Sequence, residues 1–460
     1  MKTLQLSRLA QLLDGTLHGA DAVCTGVSTD SRRLNQGDLF VALHGPNFDG
    51  HAFVATAVRK GASGALVERT TEVILSQVQV ADTRLALGRL GASVRDGFSG
   101  PLIAVTGSNG KTTVKEMIAA ILRASGASVL ATRGNLNNDI GLPLVLLELR
   151  PEHAFAVIEM GANHPGEIAY LAGLTRPSVA LITNAGPAHL EGFGDIDGVA
   201  RAKGEIFQGL EAQGIAVINQ DDAYAGFWRR LNAGRRVVDF SLKQPAQVTG
   251  EIVNAQQNRF RLHVAGESRE IALPLAGQHN ICNALAAAAA TYAAGIELDQ
   301  ISQGLQSVAA VKGRLRRLPG PHNSVIVDDT YNANPASLGA ALAALNGNGN
   351  ANVNWLVLGD MAELGPHTEI LHEQAGTQTR AAGFQRMFTF GKHSRLAAAA
   401  FGPDSEHFAD VQMLVEALSR ALAASEVAPT ILIKGSRSMA MERIVQALAL
   451  QQPDCEGQGG

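Results

Sequence analysis

From Pro101 onward the chain alternates short apolar runs with stretches whose apolar residues recur at helical spacing. Phe155 to Ile158, Val179 to Ile182 and Ile215 to Ile218 are runs of strand length, with helical patterns between them. That alternation predicts a mostly parallel sheet covered by helices. A further series follows Lys312-Gly313-Arg314, with strands expected at Ser324 to Val327, Trp355 to Leu358, Met387 to Phe390 and Thr430 to Ile433. Gly359, Gly391 and Gly435 close three of these runs, as strand-to-helix turns often require. The first 80 residues or so differ, with short strands and turns such as Gly37 to Leu43, then a helix from about Ala52 to Lys60. Leu4, Leu6, Leu9, Leu12 and Leu13 give Met1 to Gly15 the spacing of a short amphipathic helix. Asp82 to Gly100 has the pattern of a helix leading into the next strand, and Ala284 to Ala290 that of a buried helix. Asn346 to Asn354 is an Asn/Gly-rich loop, and Gln451 to Gly460 lacks periodicity and is expected to be disordered.

The pattern therefore predicts an α/β protein of three domains. They are a small α/β domain over residues 1–81, a central P-loop domain with a parallel or mixed sheet over 82–313, and a Rossmann-like domain over 314–460. A chain of 460 residues is too long for one core, which agrees with this division. Hydrophobic residues at 46% and charged residues at 17% are ordinary for a globular protein. A formal net charge of −4 offers no field for nucleic acid or an acidic membrane surface. Cys24, Cys282 and Cys455 are scattered and odd in number, which argues against a disulfide framework or a Cys-based zinc site. The N-terminus lacks the charged start and unbroken apolar core of a signal peptide, and no run of eighteen apolar residues occurs. The expectation is a soluble cytoplasmic protein with no membrane insertion and no nucleic-acid partner.

The candidate chemistry lies after the strand Pro101 to Val105. Gly107-Ser108-Asn109-Gly110-Lys111-Thr112-Thr113 precedes a helix carrying Val114, Met117, Ile118, Ile121 and Leu122 on one face. Strand, glycine turn, Lys-Thr and helix is the arrangement of a phosphate-binding loop, in which backbone N–H groups and the helix N-terminus surround phosphate. Lys111 would reach the outer phosphates and a Thr hydroxyl would ligate Mg²⁺, with Thr112 and Thr113 both open. A glycine-rich surface turn is the simpler alternative. The common pattern wants glycine at Val105, and this chain departs from it there.

Two further candidates fall at strand ends. Glu159 follows one apolar run, and Asn184 and His189 follow the next, at the edge where open α/β sheets bind ligands. Each alone is equally readable as a solvated turn residue or a satisfied histidine. Lys203, on a helical stretch, is either a solvated cation or a desolvated, reactive amine.

Thr106 to Thr113 resembles the nucleotide loop of the Mur ligases, ATP-dependent amide ligases of peptidoglycan precursor synthesis. The resemblance continues in order through Asn135 to Pro143, Glu159-Met160-Gly161, Asn184 to His189, Lys203-Gly204-Glu205, His279-Asn280-x-x-Asn283-Ala284, Lys312-Gly313-Arg314 and Asp329 to Pro335. Within the family, Asp329 to Pro335 and Gly359 to Gly365 resemble the member that adds D-alanyl-D-alanine to a UDP-N-acetylmuramoyl tripeptide. The Asp-Asn-Pro-Arg segment usual in the diaminopimelate- or lysine-adding member is missing from the sequence. Ser28 to Arg32 and Phe48 to His51 resemble the uridine-nucleotide domain.

This resemblance implies residue roles. Gly107, Ser108, Asn109, Gly110, Lys111, Thr112 and Thr113 would hold the ATP phosphates, with Asn283 at adenine, Arg314 at the γ-phosphate and Asp329 at ribose or phosphate. Two Mg²⁺ ions are implied, one on Thr112 and Glu159, the other touching His189 and bridged by carbamylated Lys203. Lys111, His189, Lys203, Arg314 and Asn334 would form the catalytic set. Ser28, Asp30, Arg32, Asp49 and His51 would hold the UDP-sugar, and Asn332, Lys434 and Arg437 would line the substrate cleft. The implied partners are the UDP-linked tripeptide and D-alanyl-D-alanine, acted on by a monomer whose third domain closes about Gly313 and Arg314. A folylpolyglutamate-type ligase and a non-ligating nucleotide-dependent regulator are the rival readings. The third residue of the tripeptide, diaminopimelate or lysine, is left open.

Overall fold

A computed structural model describes residues 3–45, 48–309, 312–346 and 353–449. Most of the loop expected at Asn346 to Asn354, and all of the tail from Gln451, lie outside the described residues.

Three large sheets organise the described residues. The central one has nine strands. Its parallel part runs in the spatial order Val129–Ala131, Phe155–Glu159, Leu102–Thr106, Val179–Ile182, Ile215–Asn219, Val237–Ser241 and Val248–Asn254. An antiparallel extension, Arg259–Val264 and Glu267–Ala272, completes it and makes the sheet mixed. The strands Leu102–Thr106 and Val179–Ile182 at the heart of the parallel part are buried along their whole length, because helices cover both faces.

The helix after the glycine turn, Lys111–Ala124, buries Val114, Met117, Ile118, Ile121 and Leu122, the face read from spacing. It packs against Gln278–Ala293, whose alanine run is buried as expected, and against Leu298–Gln306. That last contact is close. A Cβ on Gly304 would sit 2.2 Å from Ile121 Cα, so the P-loop helix is backed by a neighbour that has no side chain there. Val105, where the common motif wants glycine, is a buried strand residue paired with Glu159 on one side and Leu181 on the other. The turn therefore starts only at Gly107.

The third sheet orders Arg316–Pro319, Val325–Asp329, Thr430–Lys434, Asn354–Gly359, Arg386–Phe390 and Ser405–Phe408, parallel except at its first pair. The N-terminal sheet orders Thr16–His18, Gln77–Gln79, Gly64–Val67, Asp38–Val41 and Gly26–Ser28. Its parallel strands bring the segments after Ser28, Val41 and Val67 to one edge. The N-terminal amphipathic stretch begins as a two-residue strand, Leu4–Gln5, before the helix Leu6–Leu12, because Leu4 and Gln5 pair with Cys24 and Val23. The helix expected from Asp82 spans Thr83–Asp96 and is capped by the Asp82 carboxylate. It puts Ala86, Leu87 and Leu90 into the N-terminal core while touching helices Gly141–Leu146 and Glu167–Thr175 of the central layer. No helix among the described residues is long and apolar enough to cross a membrane.

Candidate active site

The glycine turn sits at the carboxyl edge of the strand Leu102–Thr106, between the ends of Phe155–Glu159 and Val179–Ile182. Two of its glycines are required by the backbone. Gly107 has φ +146°, and a Cβ there would meet Thr183 Oγ1 at 2.0 Å; Gly110 has φ +83° and faces Asn283 Oδ1. The neighbouring strand end braces the loop. Asn109 N–H donates to Asn184 Oδ1 at 3.0 Å, Ser108 N–H to Asn184 O at 3.0 Å, and Thr183 Oγ1 to Asn109 O at 2.7 Å. Lys111 Nζ curls over the loop and donates to Gly107 O at 2.6 Å. Burial lowers its pKa, opposed by the nearby Glu159 carboxylate.

Glu159 is 1% exposed, and its two oxygens differ. Oε1 accepts from Asn137 Nδ2 at 2.8 Å, whereas Oε2 is buried with no hydrogen-bond partner. An orphaned buried carboxylate oxygen is costly unless a cation or donor completes it. A hard divalent cation that takes one or two carboxylates and fills its remaining positions with phosphate and water fits this donor set. Among the described residues no three His, Cys, Asp or Glu side chains gather into a metal cluster, so phosphate oxygens would supply the balance.

Lys203 is 1% exposed, and its Nζ has no hydrogen-bond partner. Burial, and then the Lys111 charge, lower its pKa to about 7. The amine lies 5.0 Å from the centre of the Phe193 ring, and the same ring meets the imidazole of His189 edge to face. Lys203 is thus the desolvated amine of the two alternatives open from sequence. His189 has φ +56° and pairs through Nδ1 with Glu363 Oε2 of the third sheet's loops.

Three side-chain contacts join the middle and third sheets' loops around this centre. Besides His189–Glu363, Arg314 Nη2 donates to Thr112 Oγ1 at 3.2 Å, and Asn334 Nδ2 to Asn109 Oδ1 at 2.9 Å. Arg314 stacks 4.2 Å over the Tyr331 ring, and its Nε is buried without a partner. Asn334 also accepts from Ser337 N–H at 2.8 Å, capping the helix that starts at Pro335.

Two adjoining cavities share Asn109, Gly110 and Arg314. The smaller, about 290 Å³, is walled by Phe240, Leu275, Asn283, Thr113 and Asp329. The larger, about 500 Å³, has Lys111, Glu159, His189, Asn332, Asn334 and Arg437 on its walls.

Sequence comparisons show which known proteins the chain is similar to. Residues 23–95 match the Mur ligase family catalytic domain, 105–291 the Mur ligase middle domain, and 313–437 the Mur ligase glutamate ligase domain. A curated UDP-N-acetylmuramoyl-tripeptide–D-alanyl-D-alanine ligase of Escherichia coli strain K12 is 47% identical over 97% of this chain and 99% of its own length. The chain belongs to the Mur ligase family. Among solved structures, MurF from Acinetobacter baumannii superposes with a TM-score of 0.90 at 37% identity, covering 97% of this chain and 98% of that one. The MurF ligase of Thermotoga maritima in complex with ADP gives a TM-score of 0.80 at 27% identity, over 92% of this chain and 96% of that one.

Some residues assigned from the Mur ligase resemblance sit elsewhere than expected. Lys434 was expected in the substrate cleft; it lines the smaller cavity instead, where Nζ donates to Asp329 Oδ2 at 2.5 Å and to Asn332 O at 3.0 Å. A buried strand-end lysine beside a buried aspartate has to pair with it. His51 was expected at the UDP-sugar, but both ring nitrogens are committed: Nδ1 lies 2.7 Å from Asp49 Oδ1, and Nε2 accepts from Glu68 N–H at 2.9 Å. Its ring holds a loop in place. Ser28, Asp30, Arg32 and Asp49 lie in the N-terminal region where the UDP-sugar was expected, with Ser28 at the carboxyl end of the strand Gly26–Ser28. The Arg32 guanidinium beside Asp30 lowers that carboxyl to about 2, and Arg69, then His51, hold Asp49 low as well. Sequence reasoning missed Glu363, Tyr331, Asn137 and Arg69. Glu363, Tyr331 and Asn137 lie inside the motifs named above, but only the fold brings them to His189, Arg314 and Glu159.

Proposed function

We infer that this chain is an ATP-dependent ligase that joins D-alanyl-D-alanine to a UDP-N-acetylmuramoyl tripeptide, giving the pentapeptide precursor of peptidoglycan. The observation that carries this reading is the pair of cavities meeting at Asn109, Gly110 and Arg314, the smaller lined largely by apolar groups and the larger mostly by polar ones. The ADP in the Thermotoga maritima relative supports nucleotide use.

The chemistry runs in two steps. A terminal carboxylate oxygen of the tripeptide attacks the γ-phosphorus of ATP; the new O–P bond forms as the bond to ADP breaks. The dipeptide amine then attacks the acyl carbon, forms the N–C bond and gives up a proton, and the tetrahedral intermediate expels phosphate. Such phosphoryl transfer depends on positioning and charge neutralisation rather than a protein nucleophile. Lys111 and Arg314 supply positive charge at the outer phosphates, from the loop and from the third domain. Asn283, Phe240 and Leu275 form the wall assigned to adenine, and Asp329, fixed by Lys434, the group assigned to ribose or phosphate. The Asn334–Asn109 and Arg314–Thr112 contacts draw the third domain onto the loop, which excludes water from a hydrolysable acyl phosphate.

Thr112 and Glu159 would hold one Mg²⁺, and His189 with carbamylated Lys203 a second; the unpartnered Glu159 Oε2 and Lys203 Nζ support both assignments. Bound Mg²⁺ neutralises phosphate charge. Thr113, on the wall of the smaller cavity, is the other hydroxyl available. We assign the uridine nucleotide to residues 1–81, ATP to 82–313 and dipeptide binding with closure to 314–460, in a cytoplasmic monomer. The parallel-strand edge bearing Ser28, Asp30 and Asp49 supports the first assignment.

A folylpolyglutamate-type ligase would share the nucleotide domain; the match over residues 23–95 and the near full-length identity to dipeptide-adding ligases favour the reading given. The acyl-phosphate step has a direct test. With ¹⁸O in the tripeptide's terminal carboxylate, one label should appear in the released phosphate. Unlabelled phosphate would exclude that intermediate.

A further inference from the structure

Glu363 is the least expected participant at this site, and its surroundings are unusual. The carboxylate comes from the loop after the strand Asn354–Gly359 and meets His189 of the middle sheet's loops. Both residues hold left-handed backbone, φ +62° at Glu363 and φ +56° at His189, which non-glycine residues adopt rarely. Such conformations persist when the surroundings over-determine them, and they cluster at functional sites.

Here the surroundings are explicit. Asp360 Oδ1 accepts from His393 N–H at 3.0 Å and Ser394 N–H at 2.7 Å, anchoring the start of the loop. Met361 N–H donates to Nε2 of the buried His372 at 3.0 Å, whose Nδ1 is held by Thr368 O at 2.6 Å. Ala362 N–H donates to Ser436 Oγ at 2.7 Å. Glu363 O in turn accepts from Glu191 N–H at 3.4 Å, two residues beyond His189. Three consecutive anchors therefore aim one carboxylate at one imidazole across the junction between sheets.

A carboxylate can only accept, so His189 donates through Nδ1. That fixes Nε2 as the nitrogen left for a ligand. We propose that Glu363 is a positioning residue for His189, setting from the third domain the ring nitrogen that the middle domain offers to a divalent cation. The proposal rests on the assignment of His189 to metal under the ligase reading. Its consequence is that the middle domain's metal ligand is fully set only while the loop Asp360–Gly365 is docked. A carboxylate behind a metal-binding histidine fixes its orientation and raises its basicity, and losing it typically lowers metal affinity about 10–100-fold.

The test uses the full chain with and without metal. Nitrogen-15 spectra of the metal-free protein, with the His189 signals assigned through His189→Gln, should show the ring protonated at Nδ1. Glu363→Ala should convert them to a tautomer mixture, while Glu363→Gln, which keeps an acceptor oxygen, should retain the single form. Titration with Mn²⁺ in the presence of a non-hydrolysable ATP analogue should show affinity about 10–100-fold weaker in Glu363→Ala and largely restored in Glu363→Gln. Unchanged His189 signals or unchanged Mn²⁺ affinity in Glu363→Ala would overturn the proposal. So would lost ligation with both readouts intact, which would assign Glu363 to the substrate directly. Neither readout needs turnover, so failure of the ligase reading would be seen separately, as absent pentapeptide from the unaltered protein.

Discussion

Lys203→Ala is expected to lower kcat by about 10²–10³-fold, the loss typical of removing one group that stabilises developing charge. The amine is buried, makes no hydrogen bond and is held near neutrality by desolvation, a state with no structural benefit of its own. A neutral amine adds to CO₂, forming an N–C bond and releasing a proton, and the carbamate supplies anionic oxygens suited to Mg²⁺. Its neutral fraction grows as pH rises through about 7, so protein depleted of CO₂ should regain more activity from bicarbonate at pH 8 than at pH 6. Formate or acetate should partly rescue Lys203→Ala by replacing the missing carboxylate. Full activity in the unrescued variant would remove Lys203 from the site.

Lys434→Met is expected to cost about 3–5 kcal/mol, because it leaves the Asp329 carboxylate unpaired in a buried position. The same change frees Asn332 O, so the segment Asp329 to Asn332 loses a tether and ATP affinity should fall with stability. Adding Asp329→Asn should recover a large part of the lost stability, since removing both charges costs less than stranding one. Denaturant unfolding of the single and double variants measures this. Equal stability of Lys434→Met and the unaltered protein would show that the pair holds nothing in place.

Legibility divided along physical lines. The parallel strands and the P-loop helix were plain because a strand buried on both faces is continuously apolar and a helix on a sheet shows its stripe. Strands with alternating or short patterns, such as Arg259–Val264 and Val129–Ala131, gave no comparable signal. Glu159 and His189 were visible because strand ends in such sheets are where ligands bind. What could not be seen was pairing across the chain. Asp329 with Lys434, His189 with Glu363 and Asn109 with Asn334 are separated by 105, 174 and 225 positions, and nothing local marks one partner for the other. That is why the Lys434–Asp329 pair, and Glu363 beside His189, went unread. The hydrogen bonds of His51 were hidden for a different reason: a polar motif beside a binding edge looks the same whether its ring faces a ligand or holds a loop.

Two cavities that meet at Arg314 would couple ATP cleavage to amide formation with D-alanyl-D-alanine. Incubating the protein with ATP, Mg²⁺ and UDP-N-acetylmuramoyl tripeptide, with and without D-alanyl-D-alanine, tests it in one measurement. Phosphate release should depend on the dipeptide, matched mole for mole by UDP-N-acetylmuramoyl pentapeptide. Phosphate release indifferent to the dipeptide, with no pentapeptide formed, would contradict it.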